Sequence, residues 1–156
     1  IPSENIDLVI KPLLNSEDLF VSTLMIAIHS LPERLDPNIC KVVVDNTGHA
    51  LYFTRAPIPY NRDYSFVDKS KLVSATKANQ IDLGYKHIGV YAYRKSFLLK
   101  FLNMKTTRLE NMEKLEQLRI LENGYSIKVV ETKKNSIGVD QPNDIARVIK
   151  SMNDGS

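Results

Sequence analysis

The chain has 156 residues, 43% of them hydrophobic and 25% charged, which is ordinary globular composition and enough for one domain with a real core. A net charge of +3 with no Lys/Arg run gives weak grounds for non-specific nucleic-acid binding. The single Cys40 excludes an internal disulfide and fits a reducing compartment, and no stretch approaches the roughly 20 apolar residues of a membrane-spanning helix.

The chain opens on Ile1 instead of Met, which leads us to expect a cut, processed or incomplete chain. Ile6, Val9, Ile10, Leu13 and Leu14 recur at helical spacing after Ser3. This predicts a helix with Ser3 as N-cap, kinked or ended near Pro12. Residues 21–29 are apolar at nearly every position and read as a strand buried on both faces, with His29 half-exposed at its end. Leu35-Asp36-Pro37-Asn38 reads as a turn. A hairpin follows, 41–45 against 50–54 across Asn46-Thr47-Gly48. Arg55 comes directly after its second strand, and Pro57 and Pro59 stiffen the loop that leads to Arg62. Residues 64–84, with Lys69, Lys71 and Lys77, are weakly patterned and read as a mobile surface excursion, a candidate lid.

Residues 85–94 read as a strand, with His87, Gly89, Tyr91 and Tyr93 on one face and Ile88, Val90 and Ala92 on the other. Residues 96–103 form a short helix with Phe97, Leu98, Phe101 and Leu102 inward. Residues 106–121 then read as one helix, the organising stretch of the chain. Thr107 and Glu110 write its capping box, and Asn123-Gly124 its end. Its apolar arc holds Leu109, Met112, Leu115, Leu118 and Ile120; Glu110, Glu113 and Gln117 take the opposite arc. Glu116 and Arg119 fall inside the apolar arc, three apart, either as an ion pair or as the wall of a site. Residues 125–132 read as another strand. A loop delivers Asp140, Pro142 sits at the start of the last helix, and Ile145, Val148, Ile149 and Met152 form its buried stripe. Strands mixed with helices and one clear hairpin indicate an α/β domain with a mixed sheet flanked by helices.

Taken singly, the polar candidates leave two readings open. Arg55 and Arg62 bracket a stiff loop and suit a carboxylate or phosphate, or are surface arginines. His87 and Tyr91 share a strand face that is either a site or an internally bonded polar face. Asp140 is a metal ligand or a helix cap. No His/Cys cluster, glycine-rich phosphate loop or Ser–His–Asp order is present in the sequence.

Together the segments carry a resemblance. Asp36-Pro37-Asn38, Lys41-Val42-Val43-Val44-Asp45, Ala50-Leu51-Tyr52-Phe53-Thr54-Arg55-Ala56, Ile58-Pro59 and Arg62-Asp63 resemble the 3-deoxy-manno-octulosonate cytidylyltransferases, the CMP-Kdo synthetases. So do His87-Ile88-Gly89-Val90-Tyr91-Ala92-Tyr93-Arg94, Leu109-Glu110 with Glu113, Leu115-Glu116-Gln117-Leu118-Arg119, and Gly138-Val139-Asp140 with Pro142 and Asp144. The resemblance implies the C-terminal part of a nucleotide-diphospho-sugar transferase-like fold. It makes residues 1–156 a single domain, the sugar-acid-binding and dimerisation half, with the N-terminal CTP-binding half absent. The implied enzyme is a cytoplasmic homodimeric nucleotidyltransferase that couples CTP to 3-deoxy-manno-octulosonate (Kdo), releases pyrophosphate and uses Mg²⁺. Arg55, Arg62, His87, Tyr91, Glu116 and Gln117 are implied to bind the sugar acid, and Asp140 to bind the metal. The alternatives are a dimerisation or sensing module of the same fold, or an enzyme for another keto-sugar acid.

Overall fold

A strand that is apolar on both faces cannot sit at the edge of a sheet, and its neighbours must cover it above and below. The computed structural model, which describes residues 1–62 and 82–136, resolves how this chain does so. The elements are α1 (Ser3–Asn15), β1 (Val21–Ala27), α2 (Leu31–Leu35), β2 (Lys41–Val44), β3 (Ala50–Thr54), β4 (Tyr85–Tyr93), α3 (Lys95–Leu102), α4 (Arg108–Glu113), α5 (Gln117–Glu122) and β5 (Lys128–Glu131). The described strands form one sheet in the order β3-β2-β4-β1-β5. β1 and β5 are parallel and the other neighbours antiparallel, so the sheet is mixed, as expected.

Alternation along β1 sorts the core. Val21 and Met25 face a cluster built with Phe53, Phe97, Phe101, Leu118 and Ile120, under α3, α4 and α5. Leu24 and Ile26 face the other way, onto Ile88 and onto Val9 of α1. Each such side chain contributes about 1.5–3 kcal/mol on burial. Among the described residues no helix is long and apolar enough to cross a membrane.

Several expectations are corrected. The organising stretch is two short helices, because Lys114 between them adopts a left-handed conformation (φ 56°) and its N–H closes α4 on the Glu110 carbonyl. A straight helix would carry Glu113 and Gln117 to solvent. The break instead turns Glu113 onto Thr54 and Arg55 and buries Gln117. Arg119 therefore pairs with Glu110, not Glu116, and Glu116 is exposed. The expected capping box of Thr107 and Glu110 does form at the start of α4, with the Thr107 N–H donating to Glu110 Oε2 at 3.2 Å.

Pro2, not Ser3, occupies the α1 cap, whereas the helix ends at Asn15 with Pro12 in its last turn, as expected. The buried stripe of α1 is Asn5, Val9 and Leu13, leaving Ile6, Ile10 and Leu14 exposed. α2 was not expected; Ser30 caps it by accepting from the Glu33 N–H. In α3, Phe97 and Phe101 are buried, but Leu98 and Leu102 are exposed. β5 is shorter than its sequence pattern, and β1 ends before His29. The expectations placed on residues 64–81, on Asp140 and on the last helix lie outside the described residues.

Candidate functional site

The site begins with an irregularity in β4. Thr23 of β1 pairs with Tyr91, but the next residue, Leu24, pairs with Ile88, so β4 holds two extra residues at this point. Four residues of regular strand span roughly 13 Å. Here the ring centroids of His87 and Tyr91 lie only 5.3 Å apart. Two extra residues also preserve the alternation, so His87, Tyr91 and Tyr93 still share one face, with Tyr91 and Tyr93 stacked at 5.7 Å. The Thr23 hydroxyl, on the same face, lies 2.8 Å from the Val90 carbonyl oxygen and 2.8 Å from His87 Nε2.

His87 packs edge-on against Phe53, and burial pushes its pKa down to about 4, so the ring is neutral near pH 7. The Tyr91 hydroxyl is buried with no partner among the described residues. Burial, then the charges of Tyr93, Glu116 and Cys40, raise its pKa well above the usual tyrosine range. Tyr93 is pushed up to about 12, by burial first and the Glu116 charge second. Glu116, at the start of α5, is thus close enough to act on both phenols. Gln117, next to it and buried, donates from Nε2 to Cys40 Sγ at 3.7 Å. Burial also pushes the Cys40 thiol up to about 12, against the opposing pull of the Arg55 and Lys41 charges, so the sulfur is a thiol and not a nucleophile.

Arg55 reaches this cluster from the end of β3. Its Nε donates to the Glu113 main-chain carbonyl at 2.9 Å and its Nη1 to the Pro37 carbonyl at 3.1 Å. Glu113 fixes the Arg55 backbone by accepting its N–H at 2.9 Å. Nη2 has no partner among the described residues. The loop beyond Arg55 is anchored by the buried Arg34, which donates to the Ile58, Pro59 and Leu83 carbonyls.

The structure therefore gathers five of the expected residues, His87, Tyr91, Glu116, Gln117 and Arg55, around Cys40. Arg62 is exposed at the end of the described loop and makes no hydrogen bond with the described residues. Asp140 lies outside them, and among them no group of three His, Cys, Asp or Glu could hold a metal ion. A separate open groove lined by Asp45, His49, Leu51, Leu121 and Tyr125 contains none of the expected residues. Its carboxylate, Asp45, is already held by the Thr47 and His49 N–H groups.

Thr23, Cys40 and Glu113 were missed from the sequence. Thr23 had a signal: a hydroxyl in the middle of a strand buried on both faces must find an acceptor. Cys40 had none, and Glu113 had only its place beside Leu109-Glu110 in the family resemblance, with no role attached.

Comparison with known proteins follows the same lines. The sequence pattern of the cytidylyltransferase family matches residues 1–133. The 3-deoxy-manno-octulosonate cytidylyltransferase of Geotalea daltonii is 49% identical over 149 residues, covering 96% of this chain and 57% of its own length. That of Geobacter sulfurreducens is 46% identical over 94% of the chain and 57% of its own length. A CMP:2-keto-3-deoxy-manno-octonic acid synthetase solved in complex with CTP superposes with a TM-score of 0.83 at 31% identity, covering all of this chain and 58% of that one. The chain thus spans a little over half the length of the relatives it matches.

Proposed function

The chain belongs to the cytidylyltransferase family, and from that premise we propose that it is the sugar-acid-binding part of an enzyme that transfers CMP from CTP to Kdo, releasing pyrophosphate for lipopolysaccharide synthesis. The observation that supports this most is the buried, unpartnered Tyr91 hydroxyl on a face shared with His87, walled by Gln117 and Glu116. A buried hydroxyl left without a partner costs free energy unless a ligand supplies one.

In this reading the cleft binds and orients the sugar acid. Arg55 directs its unused Nη2 at the sugar carboxylate, and Arg62 adds a second guanidinium from its loop. Tyr91, Gln117 and His87 hold hydroxyl groups, and the exposed Glu116 accepts another at the rim. Held this way, the anomeric hydroxyl is presented to the α-phosphate of CTP, which the rest of the enzyme binds. A magnesium ion supplies charge neutralisation on the phosphates when bound. Asp140 is its proposed ligand from this chain, since a carboxylate is a hard oxygen donor suited to it. The enzyme is a cytoplasmic homodimer in the same reading; Leu99 and Leu102 of α3 and Met112 of α4 leave apolar surface exposed.

In the complete enzyme Tyr91→Phe should raise KM for Kdo by about tenfold, the worth of one buried hydrogen bond, and leave KM for CTP unchanged. Equal change in both, or in neither, would remove Tyr91 from the sugar pocket. The same assay tests the metal: Asp140→Asn should abolish most Mg²⁺-dependent turnover with Tm nearly unchanged, whereas surviving activity would leave Asp140 a helix cap.

A further inference from the structure

The environment of Thr23 bears on which ring nitrogen of His87 carries the hydrogen. Thr23 is fully buried in β1, and its Oγ1 lies 2.8 Å from the Val90 carbonyl oxygen, 3.3 Å from that of Ile88 and 2.8 Å from His87 Nε2. A hydroxyl has one proton to give. Carbonyl oxygens can only accept, so that proton goes to Val90 or Ile88, both at the bulge of β4. The remaining contact then works only if Nε2 carries a hydrogen and donates it to Oγ1. In the opposite arrangement Thr23 would donate to a bare Nε2, and its oxygen lone pairs would face the Val90 carbonyl at 2.8 Å with no hydrogen between them. That places two acceptors in a buried hydrogen-bond distance, which is costly.

We infer that Thr23 is a positioning residue, which holds His87 in the tautomer protonated at Nε2 and leaves Nδ1 as a bare acceptor for a hydroxyl of the sugar acid. The ligand half of this inference rests on the sugar-acid reading of the cleft; the tautomer half does not. Nδ1 has no partner among the described residues. Because the ring stays neutral near pH 7, Nδ1 can accept but not donate. A carboxylate or phosphate oxygen is therefore refused there and a hydroxyl welcomed. Arg55 Nη2 has the reverse character, since a guanidinium only donates. An acceptor on β4 and a donor at the end of β3 would distinguish the two ends of a hydroxy acid, so that one orientation fits and its reverse does not.

Nitrogen-15 NMR of histidine-labelled complete enzyme reads the tautomer directly. His87 should show a protonated Nε2 and an unprotonated Nδ1 near pH 7. Thr23→Val keeps the shape but removes the hydroxyl. It should lose the fixed tautomer and raise KM for Kdo about tenfold, with KM for CTP little changed, whereas Thr23→Ser should retain both properties. A proton on Nδ1 in the unsubstituted enzyme overturns the inference without recourse to any variant. So does a Thr23→Val enzyme that keeps the Nε2–H pattern. If the tautomer is as stated but His87→Ala leaves Kdo kinetics untouched, the pocket reading fails, and the ligand half of this inference fails with it.

Discussion

Arg119 and Arg55 carry the same charge and are treated in opposite ways. Arg119, in the elbow of α4 and α5, meets a carboxylate: its Nε donates to Glu110 Oε2 at 2.8 Å and its Nη2 pairs with Oε1. Its guanidinium also lies 4.9 Å from the centre of the Phe101 ring. Arg55 meets main-chain carbonyls instead, those of Glu113 and Pro37. A carboxylate cancels the charge it binds. Carbonyl dipoles hold a guanidinium in place and leave its charge to act elsewhere. The elbow is thus closed by an ion pair, while the guanidinium at the end of β3 is held by main-chain carbonyls without a paired carboxylate on its side chain.

Breaking the closed region should have the largest effect on stability. Glu110→Ala leaves the mostly buried Arg119 without its counter-charge and the Thr107 N–H without its acceptor. Urea unfolding should show a loss near the lower end of the about 3–5 kcal/mol seen for broken buried pairs. A loss below about 0.5 kcal/mol would mean that water already screens the pair.

Acid titration should separate the two regions, with a somewhat smaller effect. His87 is neutral in the fold, its pKa about 4 against an ordinary 6.5. Between those values the unfolded chain binds the extra proton, so stability should fall as pH drops from 6.5 to 4, by at most about 3 kcal/mol. Glu110 is held below its ordinary 4.5, chiefly by the Arg119 hydrogen bond. Its contribution is complete above that value and is lost only as pH falls through the lower folded value. His87→Gln should flatten the upper limb alone, and Glu110→Gln the lower. Loss of both limbs on either substitution alone would mean that the regions are not independent.

The smallest effect probes the geometry of the elbow. Lys114 sits at φ 56°, where a side chain is strained and glycine is not. Lys114→Gly should stabilise the protein by up to about 1 kcal/mol in the same unfolding experiment. Destabilisation would show that the lysine side chain contributes more than its backbone costs.

These regions also differ in how far the sequence revealed them. β1 was legible because continuous burial leaves nothing but apolar and small polar residues in the run. The hairpin was legible because Gly48, at φ +77°, marks its turn. The elbow was not: apolar spacing continues straight through Lys114, and a lysine in a left-handed conformation carries no mark in a sequence. Misplacing that break misplaced Glu110, Glu113, Gln117 and the partner of Arg119 together. His87 and Tyr91 were singled out by their shared strand face and Glu116 by its place on the apolar arc, and Gln117 by the family resemblance alone, whereas the bulge that brings His87 and Tyr91 together is a product of pairing between strands. Gly89 within it has open space where a side chain would stand, so even that glycine is no reliable marker.

The order of strands has a consequence for how the chain is made. Among the five described strands β1 comes earliest in the chain, yet its neighbours in the sheet are β4 and β5, the last two of the five. Closing those contacts spans roughly 60 and 100 residues, the long-range pairing that slows folding. Among the described strands, β2 and β3 alone can pair across a short turn while synthesis continues. Until residue 131 leaves the ribosome, β1 lacks one whole edge of its hydrogen bonds and part of the cover for both apolar faces, an interval open to mispairing with other chains. The most buried of the described strands is thus the one whose partners come latest.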